Sequence, residues 1–158
     1  MKRLTWLVGP PGAGKSTWAA RLLEQPQPPR ILELAQLLAP LVDPARPRKG
    51  MMEAKGLVMR AIRRVELDPA NGGLPPLVVI TALVGEAELF PLEPDEEVLL
   101  LLPPRESWER QLLARAPGHA SGSRPLPLEE ARTWYERYSR WSEQGLPVTR
   151  LAPPPMGP

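Results

Sequence analysis

The run Gly9-Pro10-Pro11-Gly12-Ala13-Gly14-Lys15-Ser16-Thr17 fits the spacing G-x-x-x-x-G-K-[ST], and each fixed position answers a need of phosphate chemistry. Glycine lets the main chain curl tightly around an anion, because a residue without Cβ reaches backbone angles closed to the others. The amide N–H groups that lead into the following helix form a cradle of positive partial charge. The expected phosphate contacts are Gly9, Pro11, Gly12, Ala13, Gly14, Lys15, Ser16 and Thr17. Lys15 would bridge the terminal phosphate oxygens and Ser16 would ligate Mg2+, with Thr17 supporting the helix or the nucleotide. The chemistry in prospect is the binding of a nucleoside triphosphate, ATP with Mg2+ in the first place. Kinases, ATPases and GTPases share such a loop, so the reaction itself stays open at this point.

The loop works only if a strand delivers it and a helix leaves it. Leu4-Thr5-Trp6-Leu7-Val8 is a short apolar run ending in glycine, the form of a strand covered on both faces. From Lys15 the chain has helical spacing until the prolines between Pro26 and Pro29 stop it. Further strands are expected at Ile31–Leu34, Leu77–Thr81, Val98–Leu102 and Val148–Leu151. Helices are expected at Ala35–Leu41, Met51–Leu67, Arg105–Arg115 and Leu128–Gln144, and Asp43–Gly50 reads as a stiff basic loop. In the helix from Met51, apolar residues at Met51, Ala54, Val58, Ala61, Ile62 and Val65 mark the core face, so Lys55, Arg60, Arg63 and Arg64 are expected to project away from it. Alternating strands and helices give an α/β fold with a parallel sheet covered on both faces.

Composition narrows the setting. A length of 158 residues suits one domain, expected over 1–152, with a proline-rich tail at 153–158. The 20 basic and 18 acidic residues leave a net charge of +2, so nucleic-acid affinity would need a local basic patch. With no cysteine there is no disulfide, thiolate metal site or thiol nucleophile, and a cytoplasmic setting is the simplest expectation. No run approaches the roughly 20 apolar residues that span a bilayer.

The longer string Gly9 to Ala19, which continues through Ser16-Thr17-Trp18-Ala19, resembles the phosphate loop of phage-type polynucleotide 5′-kinases. Arg124-Pro125-Leu126-Pro127-Leu128-Glu129-Glu130-Ala131-Arg132-Thr133-Trp134-Tyr135 looks like the segment in which that family's lid loop passes through a proline into a helix. The resemblance implies an adenylate-kinase-like P-loop NTPase of three layers around a five-stranded parallel sheet. It implies transfer of the γ-phosphate of ATP to the 5′-hydroxyl of a polynucleotide, with a lid loop at about 116–126 and Arg115 and Arg124 closing over the phosphates. That family places a general base just after the second strand and another acid at the end of the third. Here those places hold Ala35 and Ala82. Glu33 is the carboxylate nearest the first place and the candidate base, the alternative being a strand-end charge or a partner for a neighbouring arginine. Asp43 is a further candidate.

Arg46, Arg48 and Lys49 with Lys55, Arg60, Arg63 and Arg64 would form a basic ridge for a nucleic-acid acceptor if loop and helix lie on one side. Trp134, Tyr138 and Trp141 at helical spacing are expected to anchor the last helix on the core rather than stack bases. The expected activity is a Mg-ATP-dependent kinase. The alternatives are a nucleotide-binding module or weak ATPase without kinase activity, and a kinase for a small metabolite.

Overall fold

The structure, a computed structural model, describes residues 1–38, 47–114 and 127–151. Its strands are β1 (Leu4–Val8), β2 (Arg30–Glu33), β3 (Leu77–Thr81), β4 (Glu96–Leu101) and β5 (Val148–Leu151). Its helices are α1 (Lys15–Leu22), α2 (Leu34–Leu38), α3 (Pro47–Glu66), α4 (Glu86–Leu89), α5 (Arg105–Ala114) and α6 (Leu128–Glu143). A 3-10 turn at Pro69–Asn71 begins at Asp68, whose side chain accepts the Ala70 N–H.

The strands pair in the order β2-β3-β1-β4-β5, and every pairing is parallel. This is the α/β, five-stranded sheet expected of an adenylate-kinase-like P-loop NTPase. The two strands flanking β1 hold Val8 opposite both Thr81 and Leu100, so the end of β1 emerges between the ends of β3 and β4. Ligands of open α/β sheets bind at such carboxyl ends.

Strand periodicity divides the core into layers. Trp6, Val8, Val79 and Leu100 face one side, where Leu34, Leu38, Met59, Trp108, Tyr138 and Trp141 cover them. Leu7, Val78, Ile80, Leu99 and Leu101 face the other, packed by Ala13, Ala19 and Leu22. Trp6, Trp108 and Trp141 are completely buried, and truncating such a ring to alanine costs about 3–5 kcal/mol.

Several boundaries differ from the expectations. Pro47–Gly50 is not loop but the first turn of α3, because the fixed φ of proline suits a first helical position and its missing N–H is unneeded there. The short α4 was not anticipated, and β4 starts earlier, with Glu96 buried. The core face of α3 is rotated by about one residue from the expected one. Lys55, Met59 and Glu66 are buried while Val65 is 52% exposed. Polar partners inside the fold allow this phase: Glu66 takes Arg30 in an ion pair and Lys55 has its own acceptors. Among the described residues no helix is long and apolar enough to cross a membrane. Residues 39–46, the expected lid at 116–126 and the tail at 153–158 lie outside the described residues.

Candidate nucleotide-binding site

The loop after β1 is shaped by glycine where glycine is needed. A Cβ on Gly9 would stand 2.4 Å from the Leu101 carbonyl oxygen, so no other residue permits this approach of the loop to the end of β4. Gly12 and Gly14 take left-handed φ angles of 77° and 94°, which cost an L residue about 1 kcal/mol or more. Gly14 precedes α1 without a side-chain cap, and the N-terminal amides of a helix are the groups that receive an anion. Ala13 is buried against Leu7 and Ala19, fixing the loop's underside.

Lys15 begins α1 and is buried, with its ammonium donating to the carbonyls of Gly9 (2.9 Å) and Pro10 (2.8 Å). Its charge therefore lies over the loop, where terminal phosphates would meet it. Ser16 and Thr17 face outward. The Ser16 hydroxyl donates to Glu33 Oε1 at 2.5 Å. Glu33 ends β2, and α2 starts at the next residue with Leu34 buried, which directs the carboxylate to the carboxyl end of the sheet. Arg30 on the same strand pairs with Glu66 rather than with Glu33. A hydroxyl that donates its hydrogen bond to Glu33 keeps its lone pairs for a cation. Ser16 and Glu33 thus fit the all-oxygen coordination of Mg2+, which takes few protein ligands and keeps water and phosphate for the rest. Among the described residues no cluster of three or more His, Cys, Asp or Glu offers a metal a cage of its own.

Ala35 is exposed on α2, and Ala82 follows β3 beside the loop. What the fold delivers to Ala82 is a cation. The Lys55 ammonium donates to the carbonyls of Ala82 (2.9 Å) and Leu83 (3.1 Å). Burial holds this lysine down at about 8, against the opposing pull of Glu88. Leu83 has a φ of 59°, a strained value for a branched residue. Its surroundings enforce it: the Tyr138 hydroxyl accepts the Val84 N–H (2.9 Å) and donates to the Val84 carbonyl (3.1 Å). Burial keeps that phenol well above its ordinary range. One step on, Glu86 receives Arg137 through two nitrogens and the Trp141 indole. The Arg137 hydrogen bond is the main reason the Glu86 carboxyl lies at about 2.

The basic ridge is therefore not built as expected. Lys55 is inside, and Arg63 turns under the sheet to Glu96 (2.5 Å) and the carbonyls of Glu88 and Leu89, stacked 5.3 Å from the Trp6 ring. Arg60 and Arg64 remain toward solvent. Arg46, Asp43, Arg115 and Arg124 lie outside the described residues. Tyr138 and Trp141 are core anchors as expected, and Trp134 packs at 5.6 Å from Tyr138 under Arg137.

Two residues near the loop escaped the sequence reading. Lys55 shares the helical stripe of Met59 and Glu66, a signal visible only once that stripe is known to be the buried one. Trp108, on α5, donates its indole N–H to the Pro11 carbonyl at 2.7 Å. Nothing local joins positions 97 residues apart.

The model of a family described as an AAA domain matches residues 4–84. No curated protein matches the sequence. Among solved structures, a sugar kinase from Janibacter sp. HTCC2649 superposes with a TM-score of 0.64 at 14% identity, over 96% of this chain and 86% of that one. A deoxyadenosine kinase from M. mycoides with bound dATP superposes with a TM-score of 0.55 at 15% identity, over 96% and 91%. At such identities the likeness is one of fold.

Proposed function

This chain belongs to the AAA domain family, and from that premise we propose that it is a Mg-ATP-dependent phosphotransferase acting on a hydroxyl group. The observation that carries the reading is the Ser16–Glu33 hydrogen bond at the mouth of a glycine loop that also holds Lys15. A module that only binds nucleotide needs the loop and the lysine. A carboxylate beside the hydroxyl that would ligate the metal adds a proton acceptor at the mouth of the loop.

In the proposed reaction the loop amides and Lys15 hold the β- and γ-phosphates and stabilise charge as the γ-phosphoryl group leaves. Ser16, with Glu33 behind it, would hold the metal, which would neutralise phosphate charge. The acceptor oxygen forms a bond to the γ-phosphorus, the bond from that phosphorus to the β,γ-bridging oxygen breaks, and ADP departs. Glu33 takes the acceptor's proton with the carboxylate oxygen that does not bind Ser16. We assign Arg115 and Arg124 to the transferred phosphoryl oxygens. Fold likeness to a sugar kinase and a deoxyadenosine kinase supports kinase chemistry.

For the acceptor, the sequence resemblance favours the 5′-hydroxyl of a polynucleotide. A second reading, a small hydroxyl metabolite, is favoured by the inward turn of Lys55 and Arg63, which takes two cations from the ridge. The test is transfer of labelled γ-phosphate from Mg-ATP to a 5′-hydroxyl oligonucleotide and to a panel of nucleosides and sugars. Lys15→Ala should abolish transfer, and Glu33→Gln should lower kcat about 10²–10⁴-fold with ATP affinity little changed. ATP binding without transfer to any acceptor would refute the kinase reading in favour of a binding module.

A further inference from the structure

We infer that Trp108 is a positioning residue for the phosphate loop, holding the Pro11 carbonyl in the conformation that receives the triphosphate; the inference rests on the nucleotide-binding reading of that loop. Pro10 and Pro11 have no N–H, so this half of the loop is tied through its carbonyls alone. The Gly9 and Pro10 carbonyls are held by Lys15. The Pro10 carbonyl also accepts the Ala13 N–H at 3.2 Å, while that of Pro11 is held by Trp108. The two kinds of tie differ in what a nucleotide does to them. Lys15 must turn its ammonium toward the phosphates and loosen its hold on the carbonyls. Trp108 carries no charge and keeps its bond throughout.

The indole is built to hold still. Trp108 is completely buried. Its ring lies 4.7 Å from that of Tyr135, tilted by 32°, and the Tyr135 hydroxyl donates to the Pro103 carbonyl just ahead of α5. Arg105 lies over the other ring of this pair and bridges Glu109 and Glu136, joining α5 to α6. With Gly12 and Gly14 in left-handed conformations on one side of Pro11, the loop has its greatest backbone freedom next to the point that Trp108 fixes. Replacing the indole by a phenyl ring keeps an aromatic face on Tyr135 at the cost of some buried volume, and it removes the N–H that holds the loop.

The test is Trp108→Phe, which keeps the stack on Tyr135 and removes the donor. In the free protein, amide hydrogen exchange over residues 12–17 should quicken several-fold while exchange in β1 and β3 is unchanged. Affinity for Mg-ATP should fall about tenfold, the effect of one hydrogen bond to a part-buried carbonyl, with affinity for adenosine unaltered because the nucleoside does not use the cradle. Equal exchange rates in the two proteins overturn the inference, whether or not ATP binds. Lack of ATP binding by the unmutated protein refutes the nucleotide reading instead, and the exchange rates still decide the role of Trp108. A measurement that needs no variant is the indole proton of Trp108 in the nuclear magnetic resonance spectrum. It should exchange slowly with solvent and shift on addition of Mg-ATP but not of adenosine; rapid exchange overturns the inference.

Discussion

Replacing Lys55 by methionine tests whether a buried cation props the end of β3. The lysine's ordinary value of 10.5 is lowered to about 8, chiefly by burial. A base whose folded value lies below its unfolded one destabilises the fold while charged. Below pH 8 both states hold the proton and the penalty is complete. Between 8 and 10.5 the unfolded chain keeps a proton that the folded protein has released, so stability rises with pH, by about 1.4 kcal/mol per pH unit. The whole window is worth about 3 kcal/mol, and Lys55→Met removes it. At pH 7 the variant sheds the penalty but leaves the Ala82 and Leu83 carbonyls without their donor, a loss of about 1–3 kcal/mol. The offset at neutral pH is therefore small, and the slope carries the information. Urea unfolding of both proteins at intervals from pH 7 to 10 should show the unmutated protein gaining on Lys55→Met as pH rises. Parallel curves would mean that Lys55 keeps an ordinary value, and the account of this site as a desolvated ammonium held by two carbonyls would be wrong.

Gly9→Ala places a methyl group 2.4 Å from the Leu101 carbonyl oxygen, so Mg-ATP binding measured by calorimetry should be lost, with unfolding shifted to lower urea. Arg63→Met leaves the buried Glu96 with its Trp6 and Glu93 donors but no cation. It should destabilise by about 3–5 kcal/mol, whereas Arg60→Met, at a solvent-facing position, should fall within about 0.5 kcal/mol in the same urea titration. Glu86 lies at about 2 because of Arg137. Its carboxylate stabilises the fold above the ordinary value of 4.5, and that contribution is lost as pH falls from 4.5 toward 2. Glu86→Gln should accordingly flatten the acid limb of a stability profile between pH 5 and 2.

The phosphate loop and its flanking elements were legible because their causes are local. Glycine freedom, a lysine at the helix start and a run of apolar residues on each buried strand act within a few positions of one another. The same locality made β1, β3, β5 and the span of α6 readable. The rotated face of α3 was not readable, since Lys55 and Glu66 look like surface residues until the Ala82 carbonyl and Arg30 are placed beside them. Glu33 was nominated from its place in the chain, but its contact with Ser16 depends on the abrupt turn from β2 into α2 and on the order of the sheet.

By itself the sequence determined that a strand, a glycine loop and a helix would make an anion cradle, since that device is complete within Leu4 to Leu22. Only the tertiary structure decided which charges face it and what holds it, because parallel strands join segments far apart in the chain. That joining brings Glu33 to Ser16, Lys55 to Ala82 and Trp108 to Pro11.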